Sequence, residues 1–191
     1  MKTFELKGAV RNELGKKASK RYRKEGAIPC ILYGSEGVTH FSVSHDSVRK
    51  LIYTPEVYII DLDVDGKKCM AILKDMQFHP VSDETLHLDF LHISDKKPIS
   101  MKIPVVLQGL AEGVRAGGKL SLEMKKMTVK GLYTDFPENL AVNIENLQLG
   151  KTIQVGELAF DKVELLDAKA NVVCAVKLTR AARGLAAKTG K

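Results

Sequence analysis

Within Glu56–Asp75, two apolar and β-branched runs flank the dipeptide Asp65-Gly66. This feature constrains the fold most. A type I′ turn needs positive φ at both central residues, and Asp-Gly supplies that at little steric cost. The segment is expected to be a β-hairpin, and a lone hairpin needs further strands or a helix against its apolar face. The neighbouring sequence offers them. Thr3–Val10 alternates, with Phe4, Leu6 and Val10 on one face and Thr3, Glu5 and Lys7 on the other. Arg11 has the parity of the polar face. Pro29–Gly34 reads as a strand with Pro in its first position, where no ladder donor is lost. Thr39–Val43 is another short strand. In Leu86–Ile93, Leu86, Leu88 and Phe90 form one face, and His87 and Asp89 project from the other.

Two short helices interrupt the strands. Leu14, Ala18 and Tyr22 recur every four residues around a helix starting at Lys16, and Gly26 is a good stop. Asp46–Tyr53 carries Val48, Leu51 and Ile52 at helical spacing behind Ser44, a candidate cap. Residues 1–93 thus predict a compact β-rich domain. Ser94–Pro98 is a polar break. A second all-β domain is expected over residues 94–178, with strands at Ile99–Gln108, Lys119–Lys130, Asn139–Asn146, Val163–Leu166 and Asn171–Leu178. Residues 179–191 are expected to form a basic, flexible tail with little to bury.

Composition narrows the class. With 45% hydrophobic and 28% charged residues, wholesale disorder is excluded. No apolar run approaches the ~18 residues of a membrane span. The start, MKTFELKGAV, has no apolar h-region, so no secretory signal is expected. Cys30, Cys69 and Cys174 are too scattered for a disulfide framework or a zinc site. The expectation is a soluble, reduced, cytoplasmic protein.

The net charge of +7 is unevenly placed. Residues 1–34 carry nine Lys/Arg against three Glu, whereas residues 35–92 carry five against ten acids. Residues 177–191 carry five Lys/Arg and no acid. In the first helix, Lys16, Lys20, Arg23 and Lys24 share a face flanked by Lys17 and Arg21. Long cations on one exposed face can reach several phosphates at once.

Chemical motifs are weak. Gly113–Lys119 matches the start of a phosphate-binding loop, but Leu120 stands where Ser or Thr should hold magnesium, and a strand pattern follows. It reads as a connection between strands. His79, His87 and His92 with Asp89 match no zinc spacing. Asp61, Asp63 and Asp65 lack the calcium-loop pattern. Cys30 reads as a buried small hydrophobe. No catalytic residue, metal ligand or cofactor is expected.

Several features coincide in order: Arg11-x3-Gly15-Lys16, Arg21, Arg23, Gly26, Ile28-Pro29, Tyr33-Gly34, then Asp75-x-Gln77-x-His79-Pro80 and His87-x-Asp89-Phe90. This set resembles the bacterial large-subunit ribosomal protein twenty-five family, which binds 5S ribosomal RNA. Ile103-Pro104-Val105, Glu112-Gly113-Val114, Gly117-Gly118 and Pro137-x-Asn139-Leu140 resemble the extra domain of its long, two-domain CTC (general stress protein) form.

The resemblance implies a mainly β chain: a small N-terminal β-barrel with short helices, then a second β domain. It implies a structural component of the large ribosomal subunit that binds the loop E region of 5S rRNA. Residues carried over at matching motif positions are Arg11, Lys16, Ser19, Arg21, Tyr33, Gln77, His87 and Asp89. Lys17, Lys20, Arg23 and Lys24 join them from the charge reading. Where family members often have Arg after the Gln, this chain has Phe78. The expected partners are 5S rRNA and the large subunit, with neighbouring ribosomal proteins as candidates for the second domain. No membrane partner is expected, and the protein is expected to be a monomer off the ribosome. The alternative is a general RNA-binding or stress-related interaction module acting off the ribosome.

Overall fold

A computed structural model describes residues 1–34, 37–95 and 97–179. The chain divides into two compact units, Met1–Lys97 and Pro98 onward. No helix among the described residues is long and apolar enough to cross a membrane.

The first unit contains β1 (Lys2–Val10), α1 (Lys16–Lys24), β2 (Ala27–Gly34), β3 (Gly37–Ser44), α2 (His45–Ile52), β4 (Tyr58–Val64), β5 (Lys67–Phe78) and β6 (Thr85–His92). The six strands close into a barrel in the order β1-β3-β2-β6-β5-β4. β1 runs parallel to β4 and β2 parallel to β6, and the other neighbours are antiparallel. Leu6, Cys30, Phe41, Ile60, Leu62, Ala71, Leu88 and Phe90 fill the interior. Val48, Leu51 and Ile52 of α2 join that core. The β4–β5 hairpin turns at Asp65 and Gly66, with φ of 49° and 87°, as the Asp-Gly signal predicts.

Several details depart from the sequence expectation. Val10 is 45% exposed rather than inward, and Arg11 is only 7% exposed. β1 pairs with β4 through Gly8 and then with β3 through Ala9 and Val10. The Asp65 carboxylate accepts the Val10 N–H at 2.8 Å, and the strand's alternation slips at this crossing. Gly8 is fixed by packing, because a Cβ there would lie 2.6 Å from the Phe41 ring. Pro29 is the third residue of β2, not the first, and it precedes the β2–β6 ladder, which begins at Cys30. Leu14 lies outside α1 and is exposed. Ser44 sits at the α2 N-cap, but its side chain makes no capping bond.

The second unit holds β7 (Ile99–Gln108), α3 (Glu112–Arg115), β8 (Lys119–Leu122), β9 (Lys126–Gly131), β10 (Leu140–Asn143), β11 (Thr152–Gln154), β12 (Glu164–Leu165) and β13 (Val172–Lys177). They form a four-stranded sheet, β10-β7-β9-β12, and a three-stranded sheet, β11-β13-β8. The expected strand Lys119–Lys130 is two strands. Between them the N–H groups of Glu123 and Met124 both donate to the Val173 carbonyl. Asn139–Asn146 is a strand only over Leu140–Asn143, and β11 was not anticipated. Residues 180–191, most of the expected tail, lie outside the described residues.

Candidate nucleic-acid interface

α1 begins after Gly15, which takes φ 97°, and ends before Gly26, at φ 77°. Ala18 is its buried residue, and Tyr22 is half-buried. Beneath the helix lies Arg11. Its guanidinium sits 5.6 Å from the Tyr22 ring centroid, and one terminal N–H donates to Ser19 Oγ at 3.3 Å. Arg11 Nε is buried with no hydrogen-bond partner among the described residues. A buried donor left unsatisfied costs about 1–3 kcal/mol.

The cations of α1 divide into three groups. Lys16, Lys17, Lys20 and Lys24 are exposed, and among the described residues no ion pair engages them. Arg21 pairs with Glu13 and lies 3.9 Å from Glu25. The Glu13 carboxylate, accepting its hydrogen bond, raises the Arg21 pKa further.

Arg23 does something different. Its Nε donates to the Leu86 carbonyl at 3.0 Å. In the β5–β6 ladder Gln77 opposes His87 and Phe78 opposes Thr85. Leu86 is therefore the extra residue of a β-bulge, and a bulged residue is left out of ladder pairing. The helix engages the carbonyl of this bulged residue. A second register shift leaves Lys74 as the extra residue on β5.

The polar groups expected on the strands meet on one outer region of the barrel. Gln77 stands opposite His87, and Asp75 opposite Asp89. His87 Nδ1 and Asp89 Oδ1 are 2.6 Å apart, both side chains about a quarter exposed. The carboxylate thus fixes the imidazole: Nδ1 carries the shared proton, and Nε2 is left for an outside partner. Tyr33 on β2 is also close. Burial raises its pKa, and the carboxylates of Asp89 and Asp75 add to the rise. Across β2–β6, Ile31 pairs with Asp89 and Tyr33 with Leu91.

The structure therefore places Tyr33, Gln77, His87 and Asp89 on adjoining strands, and Arg23 joins α1 to the start of β6. Arg11 lies beneath the helix, and Ser19 is the helix residue whose hydroxyl accepts its hydrogen bond, so neither belongs to the exposed row of lysines. The Leu86 carbonyl was missed, because a bulge depends on tertiary register and leaves no local sequence signal.

The other candidate chemistry is accounted for. Among the described residues, no group of three or more His, Cys, Asp or Glu is arranged to hold a metal ion. His79 Nδ1 accepts the N–H groups of Val81 and Ser82. Asp63 accepts the Gly66 N–H. In Glu112–Gly118, every backbone N–H donates to a carbonyl of the chain, leaving no phosphate cradle. Cys30 is fully buried in the barrel core, and that burial pushes its thiol pKa up, away from the thiolate a nucleophile needs.

Comparison with known proteins adds identity to this geometry. Residues 6–90 match the model of the Ribosomal L25p family, and residues 98–180 match Ribosomal protein TL5, C-terminal domain. A relative from Azobacteroides pseudotrichonymphae, named large ribosomal subunit protein bL25, is 62% identical over 96% of this chain and 97% of its own length. The chain belongs to the ribosomal L25p family. Relatives bearing the same bL25 name occur in Bacteroides thetaiotaomicron and Porphyromonas gingivalis. The first is 57% identical over the full length of both chains, and the second 58% identical over 98% of this chain and 99% of its own. The two matched regions lie one in each compact unit, so this is a two-domain family member.

Proposed function

We propose that the protein is a non-catalytic structural component of the large ribosomal subunit, working in the cytoplasm, and that its first unit binds 5S rRNA at the irregular loop E region. The relatives' shared name supports the ribosomal role. The observation that carries the RNA reading is the junction of α1 with the β6 bulge through Arg23 and Leu86. It links α1, whose Lys16, Lys17, Lys20 and Lys24 engage no ion pair among the described residues, to the start of the strand that carries His87 and Asp89.

A regular RNA duplex hides its base edges in a deep, narrow groove, so proteins read phosphates, ribose hydroxyls and the wide minor groove. Lys16, Lys17, Lys20 and Lys24 meet phosphates and set orientation. Arg21 and Arg23 add to them, Arg21 by exchanging Glu13 for a phosphate. Gln77, His87 and Asp89 supply directional hydrogen bonds. A carboxylate is repelled by phosphates, and Asp89 is tolerated because it orients His87 and can accept from a base amino group. Tyr33 completes this face. Arg11 seats the helix from below through Ser19 and Tyr22.

The test is selective capture of 5S rRNA from total ribosomal RNA, with a footprint on the isolated 5S molecule. Protection confined to an irregular helix is expected. With about five phosphates neutralised, log K falls against log salt with a slope of roughly −3.5 to −4.5. Equal capture of bulk RNA would overturn the reading in favour of a general RNA-binding module off the ribosome.

A further inference from the structure

Immediately beyond the Gln77–His87 pair, the β5–β6 connection presents apolar groups to solvent. Phe78 is 40% exposed and Val81 is 86% exposed. Strand alternation would turn one of Gln77 and Phe78 inward, yet both are exposed at the register shift between them. The loop is not loosely held. His79 N–H donates to the Glu84 carbonyl at 2.8 Å, and Asp83 N–H to the His79 carbonyl at 3.0 Å. The His79 ring accepts two further backbone N–H groups, from Val81 and Ser82. A hydrogen-bonded tip therefore carries Val81, with Phe78 at its base as the last residue of β5, at the end of the same two strands that hold Gln77 and His87.

The charge around this tip limits what it can meet. From Asp75 to Asp95 the sequence has no Lys or Arg, and it has five acids. This segment cannot neutralise phosphates. Beside a polyanion, an uncharged apolar surface is stable only against another apolar face, and in RNA that is the face of a base. An aromatic ring is such a platform for an unstacked base.

We propose that Phe78, at the base of the pinned loop that carries Val81, is a stacking platform for an unpaired or irregularly paired nucleobase of the bound RNA. It extends the surface of Gln77, His87 and Asp89 and contributes to preference for irregular over regular helix. This inference rests on the RNA-binding reading above. It requires no change of charge, so the platform acts on affinity without altering the salt dependence.

The chain contains no Trp, so Phe78→Trp in the full-length protein introduces a single tryptophan that can be excited apart from the tyrosines. Titration with 5S rRNA is expected to quench it strongly, and titration with a fully paired RNA duplex is not. Phe78→Ala is expected to weaken 5S rRNA binding roughly 5- to 150-fold with the salt slope unchanged. Phe78→Tyr retains binding, and Phe78→Arg steepens the slope by about 0.7–0.9. Tryptophan emission unchanged at saturating 5S rRNA, or Phe78→Ala within two-fold of the parent, overturns the proposal. So does normal RNA affinity of Phe78→Ala with poorer retention in the large subunit, which would make the tip a protein-docking point. Failure of the parent protein itself to prefer 5S rRNA is a separate result, seen with Phe78 in place. It overturns the RNA-binding reading and this proposal with it.

Discussion

Arg23 makes two contributions that a pair of substitutions can separate. As a cation it adds one charge to the surface proposed to face RNA. As the donor to the Leu86 carbonyl it fixes α1 against the bulge of β6. Arg23→Ala removes both, whereas Lys24→Ala removes a charge of similar exposure that engages no ion pair among the described residues. Both variants should reduce the salt slope of RNA binding by about 0.7–0.9, the value of one phosphate contact. Only Arg23→Ala should touch the barrel. A hydrogen bond from a charged donor contributes about 1.5–3 kcal/mol when shielded, and about 1 kcal/mol is the fitting figure for this exposed side chain. In a unit the size of Met1–Lys97, that corresponds to roughly 4–8 °C in the melting of the barrel. With the latch gone, discrimination between 5S rRNA and a paired duplex should also fall, because cations and polar groups are no longer held in fixed relation. Calorimetry and filter binding across a salt series measure all three quantities. Identical melting and identical discrimination in Arg23→Ala and Lys24→Ala would refute the latch.

Lys16→Ala and Lys20→Ala should weaken binding to cognate and random RNA alike, while Gln77→Ala and Asp89→Ala should lose mainly the cognate preference, by about 1–3 kcal/mol each; competition assays distinguish the two patterns. Gly8→Ala places a methyl against the Phe41 ring, and overpacking of this kind should destabilise the barrel by about 1–3 kcal/mol in denaturant titration. Glu56 has its pKa lowered from 4.5, first by the hydrogen bond from Lys2 and then by that from Tyr58. Its folded pKa lies below its unfolded one, so the linked stability is present above about pH 4.5 and is lost as pH falls through the folded value. The stability gap between the parent and Lys2→Met should therefore close on acidification below pH 4.5, and a gap unchanged down to pH 3 would contradict this.

Much of the barrel was legible because its signals are local. Asp65-Gly66 specifies its own turn, and Leu88 and Phe90 alternate with His87 and Asp89 as a half-buried strand requires. α1 was legible from Ala18 and Tyr22 between two glycines at positive φ. The misreadings occur where partners distant in sequence decide. Val10 and Arg11 exchange burial because β1 changes partner at Gly8 and Asp65 holds the strand there. The strand polar groups were legible by parity, but the Leu86 carbonyl was not, since an extra residue shows only once β5 and β6 are in register. Nor could sequence show that Arg21 faces Glu13 while Lys16, Lys17, Lys20 and Lys24 engage no ion pair among the described residues. β11 escaped because three residues are too few to show a period.

Barrel closure has a consequence for synthesis. β2 pairs with β3, its neighbour in the chain, but its other edge waits for β6, the last strand of the unit. Until the nascent chain has passed His92, α1 has no Leu86 carbonyl to hold, and Tyr33 has no Asp89 beside it. The basic helix is thus made first, and the strand face proposed to discriminate between RNAs is made last. On the proposed RNA reading, an incomplete chain carries the charge to bind RNA indiscriminately, and selectivity arrives only with the final strand of the barrel.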